Sequence, residues 1–294
     1  SACKNEEIDA TMVNAALDQE LTDLINARSN GEGKDFFVLP DSDDFDEIPQ
    51  DPRNPLTKEK VELGKLLFHE TGIALAPVQD IHKETYSCAS CHFASAGFQA
   101  GRQQGIGDGG MGFGINGEGR AKDPNYVDND LDVQPIKSPS AMNTAFQDVM
   151  LWNGQFGATG INAGTEDAWT ADTPKENNHL GFQGLETQAI AGLTVHRMEI
   201  DMEVLEQYGY DELFDAAFPD APTAERYTLV NAGLAIAAYE RTLFSSEAPF
   251  QLWLKGDLNA MTEEEKQGAI VFFDKGECAD CHTGPALSSM TFHA

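Results

Sequence analysis

The chain has 294 residues, enough for two domains; with 41% hydrophobic and 9% aromatic residues it is no disordered tail, and no stretch approaches the roughly 18 uninterrupted apolar residues of a membrane-spanning helix. A formal charge of −30 repels phosphate backbones and anionic headgroups, which argues against nucleic acid and favours partner proteins with a basic face. Solubility in a saline medium explains the same charge equally well.

The first residue is Ser1, as in an exported product whose apolar signal has been removed, so a periplasmic or cell-envelope location is expected. Ser1-Ala2-Cys3 has the form of a lipoprotein signal's end, with Cys3 as a lipid-bearing residue; an incidental cysteine is the plainer alternative. Residues 5–28 read as an amphipathic helix with Ile8, Val13, Leu17, Leu21, Leu24 and Ile25 near one face. Prolines, glycines and an acidic run at 41–47 make 29–56 a linker or surface wrap, and that run lacks the central glycine of a calcium-binding EF-hand loop. Thr57 then precedes a short helix through Leu63, Leu66 and Leu67.

Four of the five cysteines fall into Cys88-Ala89-Ser90-Cys91-His92 and Cys278-Ala279-Asp280-Cys281-His282, each a c-type haem attachment signature. Two thiols three positions apart reach the two vinyl groups of one porphyrin, and His92 or His282 then lies under the iron as proximal ligand. A thioredoxin-like redox pair needs no histidine, and zinc would need both pairs to converge across nearly 190 residues. Two covalently bound haem c groups are therefore predicted.

Ser87 is placed to cap a helix carrying Cys91 and His92. Ten glycines between 97 and 119 mark a loop that approaches something closely or bends sharply. Gly105, Gly107 and Gly110 match a dinucleotide fingerprint only as bare spacing, with no apolar strand before them and more glycine where a helix should start. Residues 184–196, 201–218 and 225–244 are predicted helical, the last apolar around most of its surface. Thr262 and Glu265 form a capping box that opens a helix leading to Phe272 and Phe273. Leu56-Thr57-Lys58-Glu59-Lys60 and Met261-Thr262-Glu263-Glu264-Glu265 each precede a haem motif, a weak internal repeat. The fold class is mainly α, with two cytochrome c-like haem domains: 1–53 as N-terminal helix and linker, 54–222 around the first haem, 223–294 around the second.

From about Asn54 onward the chain resembles the bacterial di-haem cytochrome c peroxidase family, which includes the methylamine-utilisation di-haem enzyme. The resemblance is carried by Leu63-Gly64-Lys65-Leu66-Leu67-Phe68, the first haem motif with Gly97-Phe98, and Pro139-Ser140 with Asn143. It continues through Trp152-Asn153-Gly154, Leu185-Glu186-Thr187-Gln188-Ala189, Ala238-Tyr239-Glu240-Arg241-Thr242-Leu243, and the second haem motif with Gly284-Pro285. It implies that His92 holds a peroxidatic iron and His282 an electron-transfer iron. Trp152 matches a tryptophan between the haems, an ordinary core aromatic being the bland alternative. Gln188 matches a distal-pocket glutamine. Aligning Met198 with the family's methionine puts Arg197 where the customary acid stands, which leaves Glu199 as candidate base.

Two departures stand out. Classical members carry a sixth-ligand histidine in the glycine-rich loop, and here no histidine occurs between His92 and His179, so an open or water-ligated peroxidatic haem is expected. The family's far-side ligand to the second haem comes from well beyond the second motif, whereas this chain continues only twelve residues past His282. The second domain is thus expected to be incomplete in this chain, with Met290 a ligand within bare reach. Lys137 occupies the place of a calcium-binding asparagine, which makes calcium doubtful. By resemblance the protein is a peroxidase that reduces hydrogen peroxide to water with electrons from a small redox protein, a cytochrome c or cupredoxin, and it forms a homodimer. The alternatives are an oxidase that modifies a partner protein through a high-valent state, and a non-catalytic di-haem electron carrier.

Overall fold

The computed structural model describes residues 2–113, 117–133 and 136–289, with side chains from residue 13 onward. Cys3 and Ile8 precede those side chains, and Met290 lies outside the described residues. The elements in order are α1 (Ala2–Arg28), α2 (Lys58–His69), β1 (Gly110–Met111), β2 (Ala121–Lys122), α3 (Gly184–Val195) and α4 (Met202–Leu205). They continue with α5 (Tyr210–Ala217), α6 (Thr223–Arg226), α7 (Leu229–Arg241), α8 (Pro249–Leu254) and α9 (Glu263–Phe273), with many short 3-10 turns between. The fold is mainly helical, and β1 and β2 form one small antiparallel pair.

The chain divides into two compact units, one of residues 45–243 and one of 1–44 with 244–294. These bounds differ from the three segments read in the sequence. The amphipathic face of α1 is satisfied by α9, and α7 packs on α2 and α3, so each joins the unit that buries it.

In the larger unit α7 is buried from Ala232 to Arg241, and its small side chains let backbones meet. Gly64 of α2 lies so close that a Cβ there would stand 1.8 Å from the Ala235 carbonyl oxygen; one at Gly233 would stand 2.5 Å from Ile190 of α3. Thr57 caps α2, its hydroxyl accepting from the Lys60 N–H at 3.2 Å, and Leu63, Leu67 and Phe68 are fully buried. Between α3 and α7 lies a fully buried ion pair. Arg241 donates from Nε and Nη2 to the two oxygens of Glu186 at 2.8 and 2.7 Å, and its remaining donors reach Gln183 Oε1 and the Pro49 carbonyl.

The predicted helix over 201–218 is interrupted, because Gly209 takes φ +77 and turns the chain between α4 and α5. The glycine-rich segment wraps the buried guanidinium of Arg120, which donates to the carbonyls of Ile106, Gly107 and Gly112 at 2.5 to 3.1 Å. A Cβ at Gly110 would meet Arg120 Nε at 2.7 Å, so the glycines there make room for an arginine.

In the smaller unit Leu21 and Ile25 of α1 are fully buried with Trp253 and Phe273. Asp18 accepts from Trp253 Nε1 at 2.7 Å and pairs with Lys266 at 2.8 Å. Part of the expected linker is ordered against α8: Gln251 donates to the Phe37 carbonyl and accepts from the Leu39 N–H. The capping box opening α9 forms as read, with Thr262 and Glu265 each accepting from the other's N–H.

Two substitutions test this packing by urea denaturation. Gly64→Ala places a methyl against an immovable carbonyl and is expected to cost roughly 3 kcal/mol or more, the upper end of overpacking penalties. Glu186→Leu strands the Arg241 charge and is expected to cost about 3–5 kcal/mol, while Glu186→Leu combined with Arg241→Met recovers much of that loss.

Candidate functional site

The first Cys-x-x-Cys-His segment follows Tyr86, a fully buried ring whose hydroxyl donates to the His196 carbonyl at 3.0 Å. Ser87 is the N-cap as read, its N–H donating to Ser90 Oγ at 3.0 Å in a capping box, and the helix it opens is the short 3-10 turn Cys88–Ser90, which Cys91 and His92 follow. In that geometry residues three apart eclipse, which sets Cys88 and Cys91 on one side. The His92 N–H donates to the Cys88 carbonyl, and its ring Nδ1 bonds the Phe98 carbonyl at 2.9 Å. A carbonyl only accepts, so Nδ1 carries the proton and Nε2 presents its lone pair. Positive φ at Gly97 and Phe98 turns the chain back so that this carbonyl meets the ring.

The second segment repeats the arrangement within its own unit. Cys278–Asp280 is a 3-10 turn, the His282 N–H donates to the Cys278 carbonyl at 2.9 Å, and His282 Nδ1 bonds the Leu287 carbonyl at 3.1 Å. The surroundings differ. Cys281 and His282 are exposed, and His282 lines a cleft of about 260 Å³ with Phe36, Phe37 and Phe273, whereas Cys88, Cys91 and His92 are partly buried and line a cavity of about 250 Å³.

That cavity is mainly apolar, with Met150, Phe156, Leu185 and Ile236 in its walls. Its polar groups come from several loops, among them Ser138, Ser140, Thr144 and Gln155, and from one face of α3 and its C-terminus. Gln188, Gly192 and His196 are spaced four apart and all line it. Glu240 enters from α7, with Oε2 buried and without a hydrogen-bond partner among the described residues. Burial, reinforced by the Glu186 charge, pushes the Glu240 carboxyl up to about 8. Burial also pushes the Cys88 and Cys91 thiols up to about 12, the reverse of the thiolate that a thioredoxin-like redox pair requires. Among the described residues no three His, Cys, Asp or Glu side chains gather as a metal cluster. Burial holds the His92 imidazole below its ordinary value, so it is neutral, as a metal ligand must be. Paired thiols on one side of a turn, a neutral imidazole presenting Nε2 and a largely apolar cleft fit a c-type haem.

Of the residues singled out in the sequence, Cys88, Cys91, His92 and Gln188 come together at this cavity. Cys278, Cys281 and His282 assemble as the second motif. Trp152 is 82% exposed in a turn, so it is not a core aromatic. Glu199 is exposed and is not among the residues that line the cavity; its N–H is bonded to the Ile73 carbonyl, two residues after Arg197 takes φ +57. His196 and Asp132 were not singled out in the sequence. The signal for His196 was the four-residue spacing from Gln188 through Gly192; Asp132, far away in sequence, left none.

The family profile described as di-haem cytochrome c peroxidase matches residues 58–259. The methylamine utilization protein MauG of Methylorubrum extorquens is 29% identical over 84% of this chain and 55% of its own length. Cytochrome c peroxidase Ccp of Escherichia coli is 28% identical over 83% of this chain and 41% of its own, and cytochrome c551 peroxidase of Pseudomonas aeruginosa 27% over 81% and 54%. The chain thus spans about half the length of the curated relatives it matches. The crystal structure of a MauG-like protein associated with microbial copper homeostasis superposes with TM-score 0.52 at 23% identity, covering 85% of this chain and 57% of that one, a likeness of fold.

The raised Glu240 carboxyl has a pH signature. Because the folded state binds its proton more tightly than the unfolded chain, stability contributed by the neutral group is full below about pH 4.5 and is lost as pH rises through about 8. Glu240→Gln is expected to flatten that decline, measured as urea midpoints at pH 5.5 and pH 8.5.

Proposed function

The chain belongs to the di-haem cytochrome c peroxidase family, and on that footing we propose that it is an exported enzyme reducing hydrogen peroxide to water with electrons from a small redox protein. The observation that carries this reading is the asymmetry of the two motifs. Both histidines are tethered alike through Nδ1, yet His92 is partly buried and shares its cavity with Gln188, His196 and Glu240, while His282 is exposed, which suits delivery of electrons by a protein donor.

In the proposal Cys88, Cys91 and His92 hold one haem c, and Cys278, Cys281 and His282 hold the other. The haem held by His92 supplies an iron at which the peroxide O–O bond is broken and to which electrons are delivered. Gln188 orients peroxide through its side-chain amide, which can both donate and accept. The apolar walls exclude water, which strengthens each polar contact made inside. The neutral Glu240 carboxyl adds a proton-bearing group without adding a charge. Trp152, exposed on the larger unit, is assigned to electron relay, as the resemblance implies. The excess of acid over base suits a donor with a basic face.

Protein matured with c-type haem is expected to give two haems per chain by pyridine haemochrome and intact mass, and Cys88→Ala with Cys91→Ala to give one. Reduced cytochrome c or cupredoxin should be oxidised two equivalents per peroxide. A long-lived oxidised state with poor donor turnover would instead support a protein-modifying oxidase, and no spectral response to peroxide, cyanide or azide an electron carrier.

A further inference from the structure

His196 closes the C-terminal end of α3 and lines the cavity at a point that the resemblance assigns to no chemistry. Its ring Nδ1 lies 2.8 Å from Oδ2 of Asp132, a carboxylate that is itself more than nine-tenths buried. Among the described residues no other group bonds the ring, so Nε2 is the nitrogen left to the cavity. Asp132 is fixed independently of the histidine. Its N–H donates to the Asp108 carbonyl, its carbonyl accepts from the Gly107 N–H, and a Cβ at Gly107 would stand 2.3 Å from its Oδ2. The next residue, Arg197, turns away to the Asp108 carboxylate and the Asp130 carbonyl, so the loop carrying Asp132 is pinned on both sides of the imidazole.

We propose that His196, oriented by Asp132, is a proton-transfer residue of the cavity, which Glu199 does not line. This inference rests on the peroxidase reading. As peroxide binds, His196 Nε2 takes the proton of the inner oxygen. The O–O bond then breaks heterolytically; the outer oxygen keeps the bonding pair, receives the proton from Nε2 and leaves as water. Two electrons from the redox donor and two solvent protons convert the inner oxygen into a second water, so that H2O2, two electrons and two protons give two H2O. Asp132 holds the tautomer that carries the proton on Nδ1 and stabilises the transient imidazolium, which the C-terminal end of α3 also favours. The titratable and charged groups around the ring are Asp132 from the loop, Arg197 with Asp108 beyond it, Tyr86 below the backbone, His92 at the motif and Glu240 across the cavity.

The test uses the di-haem protein. In His196→Gln the ferric absorption and paramagnetic spectra should match the parent, while the rate of spectral change with peroxide falls about 10²–10⁴-fold. Cyanide association should slow as well, because HCN must also lose a proton on binding. Asp132→Asn should lower both rates with the spectra retained, and move the pH midpoint of the cyanide rate. Parent rates in His196→Gln would overturn the inference while leaving the peroxidase reading intact. A change from low-spin to high-spin iron in that variant would overturn it differently, by making His196 an iron ligand. A parent that binds cyanide in a His196-dependent way but ignores peroxide would sustain proton transfer by His196 and sink the peroxidase reading. Inertness to both ligands would overturn the two together.

Discussion

The arrangement of the larger unit depends on one interaction, the buried bidentate pair between Arg241 and Glu186. Both side chains are removed from solvent, and the guanidinium is satisfied on all sides by Glu186, Gln183 and the Pro49 carbonyl. A buried charge pair tolerates little rotation, since any movement leaves a donor or acceptor without a partner. It therefore fixes α3 about its own axis, with Glu186 toward α7 and Gln188, Gly192 and His196 toward the cavity. The same pair reaches into the chemistry of the cavity. The Glu186 charge helps hold the neighbouring Glu240 carboxyl neutral, so a structural contact decides a protonation state in the haem cavity.

The fold class, the helices at 58–69, 184–195 and 229–241, and the capping box at Thr262 were legible because each has a local cause: an apolar period, a cap or a glycine at a boundary. The haem motifs were legible because their chemistry depends on residues adjacent in the chain. What sequence reading missed depends on contacts across long separations. Asp132 meets His196 over 64 residues, and Arg241 meets Glu186 over 55. The glycine-rich segment was correctly read as a close approach, but the object approached, Arg120, is not evident from periodicity. Glu199 stays outside the cavity lining, two residues after the left-handed Arg197, a turn that alignment by residue type does not foresee.

The two motifs show how one local design serves two ends. In each, a 3-10 turn sets the thiols and a backbone carbonyl fixes the imidazole tautomer, a device that needs no side-chain partner and so survives in unlike surroundings. What differs is the enclosure. α3 and α7 roof His92 into a recess with a polar wall, while His282 lies at an open surface beside Phe272.

The interleaved make-up of the smaller unit bears on the order in which the molecule matures. Asp18 and Trp253 join across 235 residues, so α1 leaves the ribosome long before the helices that cover its apolar face exist. The central unit, by contrast, is contiguous and can condense as soon as its last helix is complete. Condensation of the central unit can accordingly precede closure of the smaller one, in which α1 waits for α9. Pairing of α1 with α9 is thus a long-range contact that forms late, which leaves α1 open to proteases or holding chaperones for longer than the helices of the central unit.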